Sequence, residues 1–288
     1  MVKMSKGNGR SQDQHYMVAL AKGELGTSVQ GYLSRTYGIE INIEDRPVDF
    51  KQSIGKVTFW PTKSEDVPRC VGGFYDDGVH ISPGAHFGIT GLDFVTTYKL
   101  EGHGRLKVLR DLDFGEGDIL LFSLYDIERI KSGERTPRVV TEHRYRPLLK
   151  KGAAAKFLRE KFGNFDVMGV GGSVEGYVAN GSADIGFDFS TYMRKENGEA
   201  ETTTIARNGL RVMANAMATG AVIVSRDSVK YTSDLFDETM RAAGGCEVER
   251  TAPAMVTPRR KIYHLDGVRA RLRAERASTS RQDSAAVR

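Results

Sequence analysis

Residues 167–210 gather the side chains whose chemistry is easiest to read. They hold Gly171-Gly172-Ser173, then Glu175, then Asp184 and Asp188 at the ends of short apolar runs. Thr202-Thr203-Thr204-Ile205 follow, and then Ala206-Arg207-Asn208-Gly209-Leu210. Glycine lets backbone N–H groups approach a ligand closely, and Ser/Thr hydroxyls add short donors, so such a stretch can cradle a phosphate. Carboxylates beside it can take ribose hydroxyls or a hydrated Mg²⁺. A phosphorylated sugar suits this combination.

Each residue has a plainer reading as well. Asp184 and Asp188 flank Ile185-Gly186-Phe187, and residues four apart in a strand point to one face. They form a pair for ribose or metal, or they cap the ends of a strand. Thr202, Thr203 and Thr204 grip a 5′-phosphate, or they are a β-prone run in a surface loop. Glu175 contacts a ribose, or caps its own helix. Thr90, Gly91 and Asp93 form a loop opening a helix where an anion or base can lie, or a simple strand-to-helix turn. Lys22 and Gly23 follow a short apolar run, where a lone lysine is usually a solvated charge.

Alternating strands and helices must position these groups. Met17-Val18-Ala19-Leu20 reads as a buried strand, and a helix fits 27–37 because Val29, Tyr32 and Leu33 share a face and Gly38 follows. Val57-Thr58-Phe59-Trp60 is another strand. It leads to a helix start near Ser64, with Asp66 as cap and Pro68 in the first turn. Apolar runs at 119–125, 139–143 and 165–170 read as strands, and 148–162 and 228–243 as helices. Residues 84–90 and 181–187 echo each other, with small residues leading into a short apolar strand and a glycine. Two similar α/β units with mainly parallel sheets follow, with ligands at the strands' C-terminal ends.

The chain has 288 residues, 40% hydrophobic and 27% charged, enough for one or two domains with a sizeable core. A formal net charge of +5 suits anionic ligands, but much of the excess lies from Arg259 onward, so nucleic-acid binding is a weak alternative. Cys70 and Cys246 have no metal-ligand spacing and no disulfide framework, and no apolar run is long enough to span a membrane. A soluble cytoplasmic protein is the expectation. The six histidines form no triad, and no Walker or Rossmann fingerprint occurs.

Gly172-Ser173-Val174-Glu175, then 181–188, then Thr203-Thr204-Ile205-Ala206-Arg207-Asn208-Gly209-Leu210 resemble the core signature of the ATP phosphoribosyltransferases, which open histidine biosynthesis. That family reads G-S-V-E, A-D-x-x-x-D and T-G-x-T-L-x-x-N-G-L. Lys22-Gly23 resembles its P-K-G-R-L turn, 87–95 its D-L-G-I-T-G-x-D-V segment, and 108–115 its L-x-D-L-x-F-G segment. Four departures stand out: insertions near 72–84 and 193–200, Thr202 in place of the loop glycine, and Glu24 in place of an arginine. If position 24 faces a phosphate, an attraction of about 4 kcal/mol at 4 Å and an effective dielectric of 20 becomes a similar repulsion.

The resemblance implies two lobes like those of a type II periplasmic binding protein, with the active site in the cleft between them. Lobe I would comprise 16–115 and 211–245, lobe II 116–210, with a flexible arm at 1–15 and a partly disordered extension at 246–288. Too little remains for the regulatory domain of the long form, which implies the short form, a homo-oligomer with histidine feedback through a separate regulatory subunit. The implied reaction is Mg²⁺-dependent transfer from phosphoribosyl diphosphate to N1 of ATP, releasing diphosphate. Lys22, Asp184 and Asp188 would be catalytic, with both aspartates on the metal. Gly23, Thr90, Gly91, Asp93, Glu175, Thr202, Thr203, Thr204 and Ile205 would bind substrate. Two alternatives stay open: the same transfer to an azole or other nucleobase-like acceptor, favoured by Glu24 and the insertions, and a non-catalytic ligand-binding paralogue, favoured by the lost loop glycine.

Overall fold

The computed structural model describes residues 14–43, 51–76, 79–103, 105–133, 135–190, 192–194 and 200–245. The N-terminal arm up to residue 13, the 246–288 extension, and the side chains of Glu24, Thr202 and Thr203 lie outside the described residues. The chain forms two compact α/β units. The first contains the described residues up to Thr90, His103–Arg110, and the segment from Val222; the second contains Gly91–Gly102 and Asp111–Ala221.

The first unit is built on a six-stranded sheet. Its order is Gln52–Ile54, Val57–Thr62, Tyr16–Ala21, Phe87–Gly91, Ala221–Arg226, Leu106–Asp111. Tyr16–Ala21 pairs in parallel with both Val57–Thr62 and Phe87–Gly91. These runs are almost wholly buried, as strands of a sheet covered on both faces must be. The helix Glu24–Tyr37 buries Val29, Leu33 and Tyr37, four residues apart and so on one stripe, and ends at Gly38 in the left-handed conformation. The helix Ser233–Gly244 begins at Thr232, whose hydroxyl accepts from the Leu235 N–H. Tyr37 donates to Asp237 at 2.5 Å, and Arg110 donates to both oxygens of that carboxylate at 2.6 and 3.3 Å. One shared carboxylate thus joins two helices to the Leu106–Asp111 strand.

The second unit has a five-stranded sheet in the order Asp166–Val170, Arg138–Glu142, Ile185–Ser190, Gly117–Ser123, Arg211–Thr219. The first three strands run in parallel, and the last two pairings are antiparallel. Alternation divides its side chains. Ile119, Leu121, Val139, Ile185 and Phe187 face a core with Tyr145, Leu148 and Leu158. Leu120, Phe122 and Val140 face another core with Val174, Val178, Ile205 and Leu210.

Two chain assignments differ from the lobes expected. The Leu92–Leu100 helix packs on the Arg146–Lys151 helix and the Arg211–Thr219 strand, which places it in the second unit. Arg211–Thr219 belongs there too, because it pairs with Gly117–Ser123. The expected 148–162 helix is two helices, Arg146–Lys151 and Ala153–Phe162, broken at Gly152, where a Cβ would stand 2.6 Å from the Leu148 oxygen. Each insertion contains an antiparallel hairpin, Phe74–Asp76 with Val79–Ile81 and Tyr192–Arg194 with Ala200–Thr202; residues 195–199 lie outside the described residues.

Candidate functional site

In the second unit, the C-terminal ends of three parallel strands bring together Glu142, the Gly171–Ser173 loop and Asp188. Strand register sets this. Phe187 lies beside Thr141, so Asp188 continues alongside Glu142. Gly186 lets the Phe122 ring lie against the strand, since a Cβ there would meet that ring at 2.1 Å. Asp188 is 8% exposed, and its Oδ1 accepts from the Phe189 N–H at 2.8 Å. Burial, then the nearby charge of Glu142 and of Glu175, pushes its carboxyl up to about 7, against the opposing pull of the Phe189 N–H and Arg144.

Arg144 is ion-paired with Glu142, and its guanidinium lies 5.3 Å from the Phe94 ring centre and 5.1 Å from that of Tyr145. Glu175 sits half-buried in the first turn of the Val174–Ala179 helix, where the backbone dipole favours an anion. Ser173, which precedes that helix, has φ 57° and ψ 36°, the one non-glycine residue with positive φ among the described residues. Such a left-handed position costs about 1–2 kcal/mol and persists only where the surroundings enforce it.

The Thr203–Arg207 helix packs on the strand that carries Asp188. Thr204 is exposed, and its carbonyl accepts from Asn208, both N–H at 3.2 Å and side-chain amide at 2.8 Å. Ile205 is 1% exposed and packs into the core, so its side chain anchors the helix and offers nothing to a ligand.

Asp184 lies elsewhere. It precedes the Ile185–Ser190 strand at the opposite edge of the sheet. Its Oδ1 accepts from Arg135 at 2.8 Å and its Oδ2 from the Arg138 N–H at 2.8 Å. Its main chain is held as well, with its N–H donating to Arg138 and its carbonyl accepting from Ser123 Oγ at 2.6 Å. The four-residue spacing from Asp188 spans about 13 Å of strand. The pair therefore does not fit a shared magnesium ion, and among the described residues no group of three or more His, Cys, Asp or Glu converges as a metal site.

Asp93 is also removed from a ligand role by its surroundings. It is 3% exposed, with one carboxylate oxygen accepting from Thr219 and the other from Tyr145, both at 2.9 Å. Its own N–H donates to Thr219 Oγ1 at 3.0 Å. Burial raises its carboxyl, while the two hydroxyls, its own N–H and Arg144 oppose the rise. Gly91 leads into the helix with φ −75°, and a Cβ there would meet the Asp93 carboxylate at 2.3 Å.

The first unit assembles a second edge, again from the C-terminal ends of adjacent parallel strands. The Lys22 N–H donates to Thr62, the Ser64 hydroxyl donates to the Lys22 carbonyl at 3.1 Å, and buried Thr90 donates to the Ser64 carbonyl at 2.7 Å. Gly23 opens the helix at φ 76°, ψ −148°, a conformation closed to residues with a Cβ. Ser64, Glu142 and Arg144 are the additions here. Ser64 read as a helix start and the other two as parts of a strand and its loop, because only strand pairing brings them beside the residues singled out.

Parallel strands ending in such loops, in two α/β units, make a fold of the type II periplasmic-binding-protein kind. The chain of an "ATP phosphoribosyl transferase (HisG:HisZ) complex from Thermotoga maritima" aligns with a TM-score of 0.53 at 17% identity, over 80% of this chain and 95% of that one. The VFT2 domain of BvgS from Bordetella pertussis aligns at 12% identity and a TM-score of 0.39, over 81% of this chain and 88% of that one. The family model described as HisG: ATP phosphoribosyltransferase matches residues 79–243, more than half of the 288-residue chain, and the chain belongs to that family. No curated protein matches it. No helix among the described residues is long and apolar enough to cross a membrane.

Proposed function

We propose that this protein transfers the phosphoribosyl group of phosphoribosyl diphosphate to N1 of ATP. The observation that carries the reading, beside family membership, is the acidic edge of the second unit. Asp188, Glu142 and Glu175 stand near one another, and burial first, then that company, raises the Asp188 carboxyl. Such crowding disfavours the ionised form in the free protein, and hydroxyl donors or a developing positive charge relieve it. A ribose supplies both, first its 2′- and 3′-hydroxyls and then the partial positive charge at C1′ as the bond to diphosphate lengthens.

In this reading Asp188 and Glu175 accept from the ribose hydroxyls, and the Thr202-Thr203-Thr204 segment with the amides that open its helix takes the 5′-phosphate. Lys22 and Gly23 form an anion-binding turn in the first unit. The acceptor nitrogen forms its bond to C1′ while the C1′–O bond breaks, and the electron pair leaves with diphosphate. The side chains orient and stabilise without forming a covalent intermediate. Magnesium enters as part of the donor, bound to its diphosphate, since Asp184 is engaged by Arg135 and Arg138. The reading extends to histidine biosynthesis in the cytoplasm. It extends also to assembly with a regulatory subunit, in keeping with the HisG:HisZ complex of Thermotoga maritima whose chain aligns with this one.

Calorimetric titration with magnesium phosphoribosyl diphosphate, followed by a diphosphate-release assay with ATP, tests it. Saturable donor binding with ATP-dependent release supports the proposal; no donor binding ends it. Glu24, in place of the family's arginine, favours a second reading in which an uncharged azole is the acceptor. Release with an azole and none with ATP would select that one.

A further inference from the structure

A cavity of about 170 Å³ opens in the second unit at the edge of the sheet opposite Asp188. Tyr125, Arg129, Ile130, Arg135, Pro137 and Asp184 line it. Ile130 and Pro137 are buried and give it an apolar floor. The Arg129 guanidinium lies 4.0 Å from the Tyr125 ring centre, and among the described residues no carboxylate pairs with it. Arg135 is paired with Asp184 at 2.8 Å, its side chain 53% exposed. Among the described residues that line it, two guanidinium charges stand against one carboxylate.

We propose that this cavity binds a small organic carboxylate, its anionic end between Arg129 and Arg135 and its apolar body on Ile130 and Pro137. A guanidinium matches a carboxylate with two parallel donors, and the Tyr125 ring, 4.0 Å away, steadies that of Arg129. The floor distinguishes this ligand from inorganic phosphate, which has no apolar part to bury. Asp184 competes for Arg135, so the bound carboxylate takes over part of an ion pair that already exists.

The test is an amide NMR titration of the full chain with sodium butyrate and, separately, with inorganic phosphate at constant ionic strength. Butyrate is expected to shift the Ile130, Gly133 and Arg135 amides saturably, with phosphate giving only weak, non-saturating shifts. Arg129→Ala, which leaves the Arg135–Asp184 pair intact, is expected to weaken butyrate about tenfold, the loss of one charge-assisted contact. Asp184→Asn keeps an acceptor for the Arg138 N–H, frees Arg135, and is expected to tighten binding. Absence of saturable shifts, equal affinity in Arg129→Ala, or phosphate binding as tightly as butyrate would each overturn the proposal. None of these readouts depends on turnover.

Discussion

Asp184 and Asp188 stand four residues apart in one stretch of chain, yet they live in different chemistry. Asp184 has both oxygens engaged, by Arg135 and by the Arg138 N–H, on a rim open to solvent. Asp188 is buried with one N–H donor, beside two further carboxylates. The same side-chain type is neutralised at the start of a strand and left short of partners near its end. In a parallel sheet the C-terminal edge is where loops open toward ligands, and the contrast follows that polarity.

The largest expected effect separates the two aspartates by turnover. Asp188→Ala is expected to lower kcat/KM for the donor about a hundredfold or more, whereas Asp184→Asn stays within a few-fold of the parent in a diphosphate-release assay at pH 8. Equal losses would erase the distinction.

Asp93 extends the comparison to a carboxylate that is buried and fully partnered. Asp93→Ala leaves the Tyr145 and Thr219 hydroxyls without their acceptor and is expected to lower stability by about 3 kcal/mol in urea denaturation. Asp93→Asn is expected to cost less.

Protonation sharpens the contrast further. Because the folded protein raises the Asp188 carboxyl to about 7, this group favours folding fully below its unfolded pKa of about 4, and that contribution is lost as pH rises through about 7. Asp188→Asn removes the dependence. Relative to the parent, the variant is expected to gain about 2 kcal/mol between pH 5 and pH 8. Donor affinity of the parent is expected to rise across the same window, as the ionised carboxylate becomes the better acceptor. A parallel pair of stability profiles would show that Asp188 titrates normally.

The smallest effect belongs to the exposed pair. Arg135→Ala is expected to cost under about 1 kcal/mol, because the guanidinium is half in water and the Arg138 N–H still holds Asp184. Urea midpoints at low and high salt measure it.

Much of this was legible in the residues. Apolar runs located the strands, as at Val57–Thr62 and Arg138–Glu142, and the stripe Val29-Leu33 with Gly38 located the first long helix. The motif from Gly171 to Leu210 pointed to the acidic edge that the second unit assembles. What spacing could not show was which end of a strand a residue occupies. A period of two says that Asp184 and Asp188 share a face, but the strand end that each occupies and its partners depend on register with Arg138 and Glu142. Asp93 was similar. Its buried place comes from Tyr145 and Thr219, 52 and 126 residues away, and no local pattern encodes such partners. The break at Gly152 is not legible in the residues, because Leu148-Leu149-Lys150-Lys151 before it and the three alanines after it suit one continuous helix equally well.

The hairpin between the Asp188 strand and the Thr203–Arg207 helix has a consequence for how this protein can be altered. Because Tyr192 lies opposite Thr202, its two stems leave the body about 5 Å apart. A two-residue turn closes such a gap, so the part of the ribbon beyond the Tyr192–Thr202 pair is a detachable module. Its length and sequence are free to diverge while the chain on either side keeps its course.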